Sequence, residues 1–146
     1  MMQEAMDAGL TLGVCTTSNE RAAHAVAHNI LQDIKFDFVL AGDVVSKKKP
    51  DPEIYNLALQ QMGLQPEECI VIEDSRNGVL AARAAGMNIV ATTNVYTESE
   101  NLSEADIIVT CLGDPDGEKG KLKQGGESLD YDGVLQIDQL IEHFSK

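Results

Sequence analysis

Short apolar runs alternate with longer stretches of helical period along this chain. Residues 10–15, 38–41, 69–72, 88–91 and 106–109 are brief, rich in Val, Ile and Leu, and show no clean polar alternation. That pattern predicts parallel strands buried on both faces. Residues 20–32, 52–62 and 77–85 repeat their apolar positions as amphipathic helices do, and 136–144 adds a last helix with Leu140, Ile141 and Phe144 on its apolar face. Gly63 and Gly86 follow the last periodic residue of two helices, where a left-handed C-cap belongs. The β-α-β-α order predicts an α/β fold with a doubly wound, mostly parallel sheet. Residues 113–133 break the pattern: six glycines, many charges and few apolar side chains predict a flexible loop. Met1, Met2 and Met6 read as the end of a helix.

At 146 residues the chain has the length of one domain, 1–146, with a single core. Charge narrows its partners. Eleven Lys and Arg stand against 24 Asp and Glu, for a net charge of -13. Such a field repels a phosphate backbone and an anionic membrane surface, so neither nucleic acid nor membrane is an expected partner. No apolar run approaches the roughly 20 residues of a membrane span. Residues 1–9 hold two acids and no base, unlike a secretory signal. Cys15, Cys69 and Cys111 are odd in number, widely spaced and partly set in apolar runs, which predicts buried thiols in a reducing compartment. The expected location is intracellular, in the cytoplasm or the plastid stroma.

Ligands of open α/β sheets bind beyond the carboxyl ends of the strands, and three strand ends here carry suggestive chemistry. In Cys15-Thr16-Thr17-Ser18-Asn19-Glu20 a strand ends in hydroxyls just before a helix. The spacing of Thr17 and Glu20 fits a capping box, and the first-turn N–H groups make an anion site to which the Thr16 hydroxyl adds a donor. In Lys47-Lys48-Lys49-Pro50-Asp51-Pro52-Glu53-Ile54-Tyr55, Pro50 biases Lys49 toward an extended conformation, Asp51 suits an N-cap and Pro52 the first helical position. Lys49 is thereby held at a helix entrance, while Lys47 and Lys48 read as a solvated turn. In Ile70-Val71-Ile72-Glu73-Asp74-Ser75-Arg76-Asn77-Gly78 two adjacent acids end an apolar strand. Like charges there call for a cation, and a hard one with oxygen ligands, Mg²⁺, fits. Gly78 would let loop and helix pack close to them. His24 and His28 share a helical face without an indicated third ligand and read as ordinary helix residues.

In this order the three segments resemble motifs II, III and IV of the haloacid dehalogenase superfamily, over roughly residues 10–91. The likeness is closest to the branch of β-phosphoglucomutase and the CbbY-like sugar phosphatases, through Lys49-Pro50-x-Pro52-x-x-Tyr55 and Glu73-Asp74-Ser75-x-x-Gly78. Tyr96-Thr97-Glu98-Ser99-Glu100 and Cys111-Leu112-Gly113-Asp114-Pro115 look more like the CbbY side of that branch. The resemblance implies a Rossmann-like three-layer sandwich. It further implies that Thr16 and Thr17 bind phosphate, that Lys49 holds phosphate and orients the nucleophile, and that Glu73 and Asp74 serve Mg²⁺, with Lys49 and Asp74 the catalytic residues present.

The family's first motif, an Asp-x-Asp-Gly segment ending the central strand, would lie upstream, as would the cap that selects the substrate. The expectation is therefore an incomplete core, lacking its central first strand and its nucleophile, inactive alone and binding Mg²⁺ weakly or not at all. Two segments imitate that motif. Asp130-Tyr131-Asp132-Gly133 follows a flexible polar run and Asp114-Pro115-Asp116-Gly117 carries a loop-forming proline, so neither is expected to present a nucleophile rigidly. The function implied is the C-terminal part of a Mg²⁺-dependent phosphatase acting on small sugar phosphates through an aspartyl-phosphate. A β-phosphoglucomutase-like isomerase is the nearest alternative, and a non-catalytic binding or assembly module retaining the anion pocket is another. The missing strand would leave residues 10–15 and 69–72 without their shared neighbour, so that either these two strands close up and pair directly or a second chain fills the gap, as in a homodimer.

Overall fold

The computed structural model describes residues 1–29 and 31–146; the side chain of His28 also lies outside the description. The chain opens with helix α1 (Met2–Asp7), then strand β1 (Gly13–Thr16), helix α2 (Glu20–Asn29) and strand β2 (Phe38–Ala41). Helix α3 (Glu53–Met62), strand β3 (Ile70–Glu73), helix α4 (Arg76–Ala84) and strand β4 (Asn88–Thr92) follow. Strands β5 (Ile107–Val109) and β6 (Leu122–Gln124) and helix α5 (Ile137–Phe144) complete the fold.

Among the described residues the strands form two sheets. One has the order β1-β2 and the other β3-β4-β5-β6, and every pair is parallel except β5 with β6. Strand β4 shows why its run had no polar alternation. Ile89, Val90 and Ala91 are all fully buried, with Ile89 and Ala91 in the cluster under α3 and α4, and Val90 facing Leu135 and Leu140 beside α5. Helices therefore cover both faces, as the three-layer expectation requires. Across β1, Cys15 packs toward the α3 side, whereas Val14 and Thr16 line a groove with Ala23, Val26 and Ala27 of α2. Gly63 and Gly86 take positive φ, 67° and 80°, at the ends of their helices, as their positions predicted.

Four local expectations are corrected. Pairing with Phe38–Ala41 sets the register of β1, so it runs to Thr16 and leaves the 41% exposed Leu10 outside the sheet. Asn19 caps α2: its Oδ1 accepts the Ala22 N–H at 2.8 Å, so the box expected of Thr17 and Glu20 does not form. Helix α2 is described over Glu20–Asn29; residue 30 of the expected 20–32 lies outside the described residues, and Leu31 and Gln32 are not helical. Segment 113–133 contains strand β6, paired antiparallel to β5. Its alternation was hidden because an edge strand of three residues turns only Leu122 inward. The segment is also tied by Gly120 N–H to Gly133 O at 2.7 Å.

Strands β1 and β3 do not pair with each other. Each keeps one unpartnered edge, and the alternative in which the two close up is not taken. Among the described residues, no helix is long and apolar enough to cross a membrane.

Candidate active site

Lys49 joins the two sheets. Its Nζ donates to Cys15 O of β1 at 2.9 Å, to the Tyr55 hydroxyl at 3.0 Å and to Glu73 Oε1 at the end of β3. Tyr55, in the first turn of α3, donates its own O–H to the same Glu73 oxygen. The Lys49 and Glu73 side chains are only 10% and 9% exposed, so this is a buried ion pair. Such pairs hold only when their donors and acceptors are also satisfied. The ammonium has three N–H donors, and three acceptors surround it. What Lys49 offers an incoming anion is thus its charge, not a spare N–H.

Local sequence explains why the lysine is held. Asp51 Oδ1 accepts the Glu53 N–H at 3.0 Å, but the expected cap is shifted by one residue. Pro52, not Asp51, holds the N-cap position, because its C=O accepts the first helical N–H groups, and Glu53 is the first helical residue. Glu53 reaches back to accept the Ser46 and Lys47 N–H groups at 3.0 and 2.8 Å. These backbone donors hold the Glu53 carboxyl below its ordinary range. The loop ahead of Lys49 is thereby fastened to α3. Lys47 and Lys48 remain at the surface, 3.8 Å from Asp51 and 3.7 Å from Asp43.

Burial dominates the electrostatics. It pushes the Tyr55 phenol far above its ordinary range, and the Glu73 charge pushes in the same direction. The Cys15 thiol is raised from 9.0 to about 11 by burial, against the pull of Lys49. Gly78 makes room for the carboxylate, because a Cβ there would collide with Glu73. Sequence spacing had pointed to this glycine.

Thr16 is half-buried at the end of β1, and its Oγ1 accepts the Ser18 N–H at 3.1 Å, leaving its O–H to donate. Thr17 is exposed beside it, and Asp74 is exposed at the end of β3. Glu73 Oε2 meets the Asp74 N–H at 3.4 Å. Oxygen-only donors of this kind fit Mg²⁺, but not in number: among the described residues no three His, Cys, Asp or Glu side chains converge. Asp130 and Asp132 stand apart, in the turn before α5, where Asp132 accepts the Val134 N–H at 3.1 Å. His24 lies 3.8 Å from Glu20 on α2. Neither the phenol of Tyr55 nor the backbone oxygen of Cys15 was assigned a role from the residue pattern. The burial of Tyr55 follows from α3 periodicity, whereas a carbonyl has no sequence signature.

The haloacid dehalogenase-like hydrolase family model matches residues 1–86. The chain belongs to that family. It is 42% identical over 131 residues to a CBBY-like protein of Arabidopsis thaliana, covering 88% of this chain and 41% of that protein. Crystal structures of CbbY from Rhodobacter sphaeroides, one with phosphate and one with xylulose-(1,5)bisphosphate, match at 37% identity and TM-score 0.69, covering 73% of this chain and 49% of theirs. A putative β-phosphoglucomutase from Thermotoga maritima matches at 32% identity and TM-score 0.66, covering 74% of this chain and 51% of that one. The chain spans about half the length of the curated relatives it matches. The CbbY-like branch of the haloacid dehalogenase-like family and its Rossmann-like α/β fold are thereby shown.

Proposed function

We propose that this chain is the C-terminal part of a CbbY-like, Mg²⁺-dependent phosphatase of small sugar phosphates, and that 1–146 forms one incomplete core domain, inactive alone. The observation that carries the reading is the buried Lys49–Glu73 pair, bridging β1 and β3 beside Thr16 and Asp74. In this reading the Thr16 hydroxyl and the Thr17 N–H hold a phosphate at the start of α2, and the Lys49 charge favours it against the net charge of the protein. Asp74 and Glu73 would supply only part of the oxygen ligands of Mg²⁺, an ion that would offset phosphate charge once the remaining ligands are provided. The nucleophilic carboxylate must come from elsewhere in the polypeptide, since Asp130 and Asp132 do not end a strand. Phosphate-monoester hydrolysis needs up to ~10²¹-fold acceleration, beyond what anion binding alone supplies.

Phosphate release from p-nitrophenyl phosphate and a panel of sugar phosphates with Mg²⁺ tests the reading. No turnover is expected from this chain. The complete polypeptide should release phosphate, whereas an isomerised sugar phosphate would favour the mutase reading that the β-phosphoglucomutase likeness supports. Turnover by this chain that vanishes in both Asp130→Asn and Asp74→Asn would make Asp130 the nucleophile. The open edges of β1 and β3 would take a further strand, from the same polypeptide or, as a homodimer, from a second copy. A monomer whose β1 and β3 edge amides exchange freely would refute that.

A further inference from the structure

We propose that Tyr55 is a positioning residue, whose hydroxyl and ring together hold Lys49 and Glu73 in place at the sheet ends. The inference rests on the preceding reading only for its purpose, the presentation of the Lys49 charge to a phosphate. Its geometry stands by itself. The Tyr55 hydroxyl accepts from Lys49 Nζ at 3.0 Å and donates to Glu73 Oε1. The same ammonium lies 4.7 Å from the centroid of the Tyr55 ring. One side chain thus meets both members of the ion pair, and it meets the lysine with both its oxygen and its ring.

Without the hydroxyl, the third N–H of Lys49 would face a hydrocarbon edge, and Glu73 Oε1 would keep only one of its two strong donors. Removal of a partner from a buried charged group costs more than the hydrogen bond itself is worth, so the pair would shift to find water or a new acceptor. Tyr55 is 4% exposed and rooted in α3 among Ile54, Ala58 and Leu59, so it cannot follow that shift. It is a fixed post against which two longer side chains are set. With Oε1 fixed by Lys49 and Tyr55, Glu73 Oε2 is left on the side of the Asp74 N–H. Tyr55 and Lys49 together therefore leave Oε2 as the carboxylate oxygen that neither of them holds.

Spectra of the ¹⁵N-labelled chain test this with Tyr55→Phe, which keeps the ring, and Tyr55→Leu, which does not. In the unsubstituted protein the Lys49 ammonium should give a slowly exchanging ζ-NH₃⁺ cross-peak, assigned by its absence in Lys49→Arg. Tyr55→Phe should speed that exchange about tenfold, as expected for loss of one hydrogen bond to a charged group. It should leave the amide spectrum otherwise intact and weaken orthophosphate-induced shifts at Thr16 and Thr17 by a similar factor. Tyr55→Leu should exceed both effects. An unchanged Lys49 signal in Tyr55→Phe overturns the proposal. If orthophosphate moves nothing in the unsubstituted protein while Tyr55→Phe still frees Lys49, the phosphate reading fails and the positioning role stands. Should both variants unfold, the unsubstituted protein still decides: a nuclear Overhauser contact between the Tyr55 hydroxyl proton and the Lys49 ζ hydrogens supports the proposal, and its absence overturns it.

Discussion

Replacing Gly78 by alanine would add one methyl group where the Glu73 carboxylate now lies. Gly78 occupies the first turn of α4, and its N–H is held by the Ser75 cap at 3.2 Å. Helix propensity alone favours alanine by up to ~1 kcal/mol. The collision acts the other way. To clear a Cβ, Glu73 must leave Lys49 and Tyr55, and a hydrogen bond to a charged group is worth about 1.5–3 kcal/mol. Leaving a buried lysine unpaired brings the loss toward ~3–5 kcal/mol. Set against the propensity gain, the net destabilisation is about 2–4 kcal/mol. For a domain of this size that lowers Tm by roughly 5–12 °C. Urea and thermal unfolding followed by circular dichroism measure it. In a Glu73→Ala background the same Gly78→Ala change should be neutral or stabilising, because the obstructing carboxylate is gone. A Gly78→Ala protein as stable as the parent, or an equal loss in the Glu73→Ala background, would refute the reasoning.

Lys49→Met should cost about 3–5 kcal/mol in urea unfolding, because it strands the buried Glu73 carboxylate and the Cys15 carbonyl; a loss under ~1 kcal/mol would mean that water already compensates the pair. Cys15 should react with iodoacetamide far more slowly than an unfolded-state thiol at pH 8, with the rate climbing toward pH 11, since its thiol is raised to about 11. The same shift has a stability sign. A thiol raised in the folded state contributes stability that is present below pH 9 and lost as pH rises toward 11, so Cys15→Ala should flatten part of the alkaline decline. Glu53 is lowered in the folded state, so its contribution is present above its unfolded value and lost as pH falls; Glu53→Gln should weaken the acid dependence of unfolding and speed amide exchange at Ser46 and Lys47.

The sequence by itself determined the order of most elements and singled out Lys49, Glu73 and Gly78, which the structure brings together. Runs such as 88–91 bury both faces of a strand, so their unbroken apolarity was sufficient to reveal a sheet covered by helices on either side. Lys49, Glu73 and Gly78 were legible because each sits at a strand or helix end where its residue type has a local reason to be. Local caps were less secure. Asn19 displaced Thr17 because two neighbouring residues compete for the same N–H groups, and only the path of the chain after β1 chooses between them. Strand β6 was hidden because three residues at a sheet edge carry too little period to stand out among glycines. Tertiary structure alone decided what Lys49 does. Its partners come from β1, α3 and the end of β3, separated in the sequence by 34, 6 and 24 residues. One of them is a backbone oxygen that any residue would supply, and the sequence records which side chains are present but not which carbonyl a fold turns toward them.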